Sequence, residues 1–424
     1  MAMTKENQER ILNLVKSEVA PAVGCTEPIA VALCVSKATE KLGTIPEKID
    51  ILLSANILKN AMGVGIPHTD MIGLPIAVAL GAIAGKSVYE LEVLKDVTDD
   101  DVAQAKEYIK SDHISIKLKN DITEKLYIET LVTDKEGHTA KAIICGGHTR
   151  FVADDFDATA CNNDSDTDDD SWLSLKKVYD FATTMPLEAI SFINEARTLN
   201  ENAANEALKG KYGHELGKTL SRPLGKGIMG DSIFSHIISA TACACDARMA
   251  GAMIPVMSNS GSGNQGICAT IPVVKFAEEN HNTEEELTRA LMLSHLTAIY
   301  IKQSLGKLSA LCGCVVASTG SSVGITYLMG GDYNKICSAV KNMIANLSGM
   351  ICDGAKPSCT LKLASGVSTA VLSAILATNG ECVSSVEGII DNDVDKSIHN
   401  LTKIGKYAMD ETDRKVLEIM TTKC

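Results

Sequence analysis

From residue 171 to residue 424 the apolar residues recur at helical spacing almost without interruption, and most of the side chains in that run are small. Glycine-containing loops at 225–230, 258–266, 329–332 and 352–358 punctuate it, and residues 283–305 carry a clear apolar stripe. Only 4% of the 424 residues are aromatic, with one tryptophan, while 45% are hydrophobic. The length suggests two or three domains. A core for such a chain must be built from Ala, Gly, Val, Ile, Leu and Met, which favours helices at close approach. The hexapeptide PIAVAL occurs at 28–33 and again at 75–80. Its flanks differ, so it marks two similar helix starts rather than a repeat architecture.

The first 170 residues read differently. Residues 5–20 place Ile11, Leu12, Leu14, Val15 and Val19 on one helical side, and Pro21-Ala-Val-Gly24 breaks the pattern. A second helix is expected to start near Pro28, because proline suits a first helical turn. Residues 48–54 read as a strand, 57–85 as helix in pieces, and 97–110 as an acidic helix. Three β-branched or alternating runs follow at 113–119, 125–133 and 138–153. Residues 46–153 thus form a small α/β unit with a mostly antiparallel sheet. Residues 154–170 are acidic and aperiodic, a linker or exposed loop that lacks the glycine and glutamate of an EF-hand. The expected class is α+β: N-terminal helices at 1–45 packing with a mainly helical part at 171–424, plus the smaller unit between them.

A formal net charge of −13 argues against a nucleic-acid-binding surface. No run of 18 uncharged apolar residues suggests a membrane span, and the polar start MAMTKENQERILNLVK is no signal peptide. A cytoplasmic protein is expected, in which the 14 cysteines stay reduced. Most of them should be inert core residues, so the useful question is which are not.

Four segments stand out. Cys25, in Gly24-Cys25-Thr26-Glu27-Pro28, precedes a helix start, where unpaired N–H groups favour a thiolate, and its Gly-flanked loop should leave the sulfur accessible. Cys34 falls inside an apolar helix and should be inert. Residues 258–266, SNSGSGNQG, contain a GxGxxG match. Helical sequence precedes them and no βαβ pattern follows, which argues against a dinucleotide site, and a carboxylate or phosphate cradle is the functional alternative to a plain turn. Cys312-Gly-Cys314 and Cys352-Asp-Gly-Ala-Lys-Pro-Ser-Cys359 offer thiols from two loops, with Ser358 as a candidate N-cap. No CxxC occurs anywhere, which removes the usual zinc and thioredoxin signatures. Three thiolates from two loops suit an iron–sulfur cluster with one iron left open, and buried inert thiols are the alternative. Cys243 and Cys245 lie two apart in a helical run and face different ways, so they are not joint ligands of one ion.

GCTEPIAVAL, SNSGSGNQGI and MICDGAKPSC, in this order, resemble the L-cysteine desulfidase family, also called the UPF0597 or serine-dehydratase-like α-chain group. The resemblance runs from about residue 8 to 420. It implies an oxygen-sensitive [4Fe–4S] cluster on Cys312, Cys352 and Cys359 in an iron–sulfur catalytic domain, with Cys314 the neighbouring option for the first ligand. Cys25 would be the base. The implied reaction is non-redox β-elimination of L-cysteine to pyruvate, ammonia and hydrogen sulfide. Asn259, Ser260, Gly261, Ser262, Gly263, Asn264 and Gln265 would hold the substrate carboxylate, and His68, in GVGIPHTD, could join them. Lys356 is a candidate for balancing cluster charge; Asn56 and Asn60 are candidates by proximity. L-Serine is the rival substrate, and a non-catalytic cluster-bearing sensor or small-molecule binding protein is the rival of another class. Pyridoxal-phosphate chemistry lacks a lysine motif in a matching frame. The implied partner is a small molecule, with no nucleic acid and no membrane. The sequence does not fix the oligomeric state, and a homodimer is one option.

Overall fold

The computed structural model describes residues 3–120, 122, 124–156, 172–306 and 309–422. Most of the acidic stretch 154–170, together with Cys161 and Cys424, lies outside them. The chain is a mainly helical α+β protein, as its sequence suggests.

Its largest sheet has five strands in the spatial order Ile114–Leu118, Lys48–Leu53, Tyr127–Thr133, Thr139–Cys145 and Phe151–Val152. The first pairing is parallel, with Ile49 opposite Ile114, and the rest are antiparallel. Alternation explains the faces: Ile49, Ile51 and Leu53 are buried while Lys48, Asp50 and Leu52 are not. The run expected at 138–153 is two strands, because Gly146 at φ +73° turns the chain between them.

Helices Thr26–Leu42 and Leu74–Ile83 pack together over the sheet. These are the two PIAVAL helices. A methyl group on Gly81 would lie 2.6 Å from the Ala32 carbonyl oxygen, so only small residues permit their approach. Here Cys34 is buried with its thiol on the Ala142 carbonyl at 3.3 Å, the inert role expected of it.

A second core fills the helical part. Its central helices, Glu284–Leu305 and Gly313–Leu328, touch closely enough that a Cβ on Gly320 would meet the Ser294 carbonyl at 2.2 Å. Thr283 and Glu286 form a reciprocal cap at the start of the first. The loop expected at 225–230 is instead mostly helix, Pro223–Met229, begun by a proline at its first turn.

The packing splits residues 1–45 at Cys25. Helix Lys5–Glu18 puts Ile11 and Val15 into the second core, whereas Thr26–Leu42 belongs to the sheet's core. The C-terminal helix Asp410–Thr422 returns Leu417 to that same sheet core. Among the described residues one helix, Cys359–Thr378, is long and apolar enough by length and composition to cross a membrane, and 56% of its most apolar stretch is buried inside the fold.

Candidate functional site

Cys25 lies where the two cores meet. Pro21–Val23 pairs antiparallel with Pro255–Met257, which brings Gly24-Cys25 beside residues 258–266. The helix begins at Thr26, two residues before Pro28, and Cys25 is its N-cap. The Thr26 hydroxyl reaches the Gly261 carbonyl at 3.5 Å. The sequence suggested an accessible sulfur, yet Cys25 is only 1% exposed. The loop is covered on both sides, by the 258–266 turn and by Pro67, whose Cγ would be 3.1 Å from a Cβ on Gly24. Burial pushes the thiol up to about 12; the charge of the Arg248 guanidinium opposes this, while Glu27 and Cys359 add to it.

The 258–266 segment is a tight turn leading into helix Gly263–Glu279. Asn259 and Ser262 exchange backbone bonds at 3.0 Å, with Ser260 at φ +50° and Gly261 at φ +75° between them. The Ser262 hydroxyl caps the helix by accepting from the Gln265 N–H. Asn200 clamps the turn from below, accepting from the Met257 N–H at 2.9 Å and donating to the Gly266 carbonyl at 3.2 Å. A Cβ on Gly266 would fall 1.8 Å from the Met257 carbonyl, so no larger residue fits.

The expected carboxylate-binding residues divide. Asn259 is fully buried and turned inward, donating to His295 Nδ1 at 3.1 Å and to the His295 carbonyl. His295 Nε2–H in turn meets Thr270 Oγ1 at 2.9 Å, so the ring is the neutral Nε2 tautomer; burial drives its pKa down to about 3. Asn259 therefore supports the turn rather than facing a ligand. Ser260 is half-buried, its hydroxyl on Asn259 Oδ1, and Gly261 is exposed. Gly263 stands against Arg248, and Asn264 Oδ1 accepts from Arg248 Nη1 at 2.9 Å. Gln265 lies on Gly313, between Cys312 and Cys314, with its Oε1 buried and unpartnered. His68 is exposed at a hairpin tip, φ +67°.

The C-terminal thiols converge. Leu311 and Ile351 form a one-residue antiparallel bridge, with Cys312 N–H on the Met350 carbonyl at 2.9 Å and Cys352 N–H on the Ala310 carbonyl at 2.7 Å. Cys312 is the N-cap of helix Gly313–Leu328, and Cys359 is the first residue of helix Cys359–Thr378. Ser358 occupies the N-cap position there but makes no capping bond. Gly354, at φ +91°, lets the 352–359 loop touch the Lys59 carbonyl, where a Cβ would stand 2.3 Å away. The three thiols feel one another: both Cys352 and Cys312 raise Cys359, which burial already pushes to about 11. Cys314 interacts with the neighbouring Cys312 and Cys268 thiols, and burial helps push it well above the ordinary thiol value. Cys245 faces the same region, 3.7 Å from Asn264 Oδ1 and coupled to Cys25 and Cys359, while Cys243 packs elsewhere, against Gly217.

Residues not singled out in the sequence complete the setting. Buried Lys302, pushed down to about 8 by desolvation, interacts electrostatically with Cys352 and Cys312. Lys362 does the same while bonded to Asp353 and to the Ile351 carbonyl. Lys59 pairs with Asp413 and points toward Cys352. Lys356 also pairs with Asp353, and its charge lowers the Cys359 thiol. Asn60 donates to Glu27 and Asn56 to Asp413.

This donor set fits an iron–sulfur cluster better than a single ion. Among the described residues only Asp134, Glu136 and His138, in an exposed turn, bring three ligand atoms within 4.8 Å of one another. The three thiols are therefore spaced more widely than one ion needs, as they must be when each binds a separate iron. Two sit at helix N-termini, and lysines offset the negative charge of thiolates.

Residues 88–418 match the family model described as serine dehydratase alpha chain. UPF0597 proteins from Bacteroides thetaiotaomicron and Phocaeicola vulgatus are each 65% identical to this chain, over 99% of both sequences. One from Porphyromonas gingivalis is 48% identical over 99% of this chain and 100% of its own. The thiol pairings and the turn described above lie within or beside the matched span, and the chain belongs to the serine dehydratase alpha chain family, in its UPF0597 branch.

Proposed function

We propose that the protein is an L-cysteine desulfidase, converting L-cysteine and water to pyruvate, ammonia and hydrogen sulfide. One observation carries the reading: Cys312, Cys352 and Cys359 share a buried, lysine-flanked region with Cys25 at its border. A [4Fe–4S] cluster on those three thiolates would supply a Lewis-acidic iron for the departing sulfur. Cys25 takes the Cα proton, which requires its thiolate form. The start of helix Gly263–Glu279, with Asn264 and Gln265, receives the carboxylate, because helix N-termini favour anions. Holding that carboxylate directs Cα–H toward Cys25. Asn259 and His295 keep the turn rigid from behind. Aminoacrylate, released by the elimination, tautomerises and hydrolyses in water.

L-Serine is the second reading, supported by the family match to serine dehydratase alpha chains. Anaerobic reconstitution with iron and sulfide, followed by sulfide release from L-cysteine and pyruvate formation from L-serine, ranks the two. Sulfur is the softer ligand for iron, so the larger kcat/KM is expected for L-cysteine. Cys25→Ala should keep the cluster's visible absorption and lose turnover, while Cys352→Ala should lose both. A Cys25→Ala protein of undiminished rate would remove the assigned base.

A further inference from the structure

Helix Cys359–Thr378 has 20 residues, and Lys362 is its one charged side chain. Its inner side packs on Gly313–Leu328 and neighbouring helices. Its outer side is apolar: Leu361, Leu372, Ile375 and Leu376 are 44% to 52% exposed, with Ser365 and Ser368 between them. A helix face turned to water normally carries the charges. That of Asp410–Thr422 does so, with Glu411, Arg414, Lys415 and Glu418. The outward positions 361, 365, 368, 372 and 375 are spaced four, three, four, three, the interval that keeps two helices in contact along one seam. From Leu361 to Leu376 the stripe is about 22 Å long. Exposed Ile351, whose carbonyl accepts from Lys362, extends it at the helix start.

We propose that this face is the seam of a homodimer, in which the helix pairs antiparallel with the same helix of a second copy and crosses it at Ser368. A two-fold interface must fit itself, because each patch meets its own twin. The order of side-chain sizes fits in one direction. Antiparallel about Ser368, each Leu372 falls on Ala364 and Ser365 of the other copy, and each Leu361 falls beside Ile375 and Leu376. Small residues at the centre admit close approach while large ones fill the flanks. In a parallel pair Leu372 would meet Leu372 and the serines would face one another across a gap. Charge makes the same choice. At the start of the helix Lys356 and Lys362 share one carboxylate, Asp353, which leaves a positive charge in excess. Just past its end stands Glu381, exposed and in no ion pair among the described residues. The antiparallel arrangement carries Glu381 of each copy toward the lysines of the other, and it opposes the two helix dipoles. A bilayer surface, which favours cations around an apolar face, is a poorer match for that carboxylate. The seam begins at Cys359, so the second copy also reaches the 352–359 loop. One helix pair is small for an interface, and a dimer that exchanges at micromolar concentration is expected. The pairing does not depend on the desulfidase reading.

Sedimentation velocity of the full chain across the micromolar range should show a concentration-dependent dimer. Leu372→Glu, at a position turned to solvent, should keep the circular dichroism and thermal unfolding of the parent and weaken the dimer about a hundredfold. Glu381→Gln reads the direction: it weakens an antiparallel pair and strengthens a parallel one, where like carboxylates meet. In a Cys382→Ser background, Ser368→Cys should join two chains through a short bismaleimide, since a residue on the two-fold axis faces its own copy. Ser191→Cys, exposed on a different element, should not. A dimer that survives Leu372→Glu, tightens with Glu381→Gln or fails to cross-link at 368 overturns the proposal. So does a chain that stays monomeric throughout, and its co-sedimentation with anionic phospholipid vesicles would then assign the face to a bilayer.

Discussion

The ion pair between Lys59 and Asp413 ties the C-terminal helix to the cysteine loop, and its worth can be measured. The Lys59 side chain is 2% exposed and that of Asp413 is 17% exposed. Apart from the carboxylate, the ammonium meets the Cys352 carbonyl at 3.5 Å. Asp413→Asn leaves a buried cation facing neutral groups. Breaking a buried pair from one side costs about 3–5 kcal/mol. Water can reach Asp413 on its exposed side, which places the expected loss near the lower end, about 3 kcal/mol or roughly a hundredfold in the folding equilibrium. Removing both charges in Lys59→Met/Asp413→Leu should restore most of that stability, since an apolar pair carries no desolvation penalty. Urea unfolding of the wild type, Lys59→Met, Asp413→Leu and the double variant, followed by circular dichroism, gives the coupling energy directly. If Asp413→Asn loses less than about 1 kcal/mol, the pair behaves like an exposed one and the reasoning from burial fails.

His295 should leave a signature in acid. Its folded pKa of about 3 lies below the ordinary value of 6.5, so the unfolded chain binds the extra proton first, and stability falls as pH drops from about 6.5 toward 3. His295→Gln should flatten that slope by up to about 1.4 kcal/mol per pH unit, and an unchanged slope would refute the neutral assignment. Asn200→Ala orphans the buried Met257 N–H and should cost about 1–3 kcal/mol in thermal or urea unfolding. Gly266→Ala forces a methyl group 1.8 Å from the Met257 carbonyl and should abolish soluble folded protein, whereas Gly261→Ala, exposed and with nothing within 4 Å, should cost only about 1 kcal/mol for its positive φ. Equal behaviour of the two glycine variants would contradict the described turn.

The sequence made some of this legible and hid the rest for physical reasons. Strands such as Lys48–Leu53 showed themselves because a half-buried strand must alternate, and the thiol segments because glycine and proline mark where helices stop. Arg248 left a fainter trace. A lone arginine among the small residues of TACACDARMAGA reads as a solvent-facing position, because periodicity says nothing about what will later be laid over a helix face. Apart from Asp246, its neighbours' lack of charge was the signal, since an exposed face would carry more. Lys302 and His295 were masked in the same way inside an apolar helix. Asn259 misled in the opposite direction: its place in a polar glycine loop suggested a ligand contact, but a turn this tight needs an internal brace, and the nearest amide supplies it. The accessibility expected of Cys25 failed because a loop's exposure depends on segments more than 200 positions away, here the strand at Pro255–Met257.

The helix that opens at Cys25 is rooted among the residues over the sheet, while Cys312 and Cys359 are anchored in the other body of the molecule. Cys25 packs into the same core as Cys312 and Cys359, while the helix behind it is held by the other. Two well-folded halves that met slightly askew would look sound by any spectroscopic measure of helix content and still misplace that thiol, so the turnover proposed above would gauge alignment before it gauged chemistry.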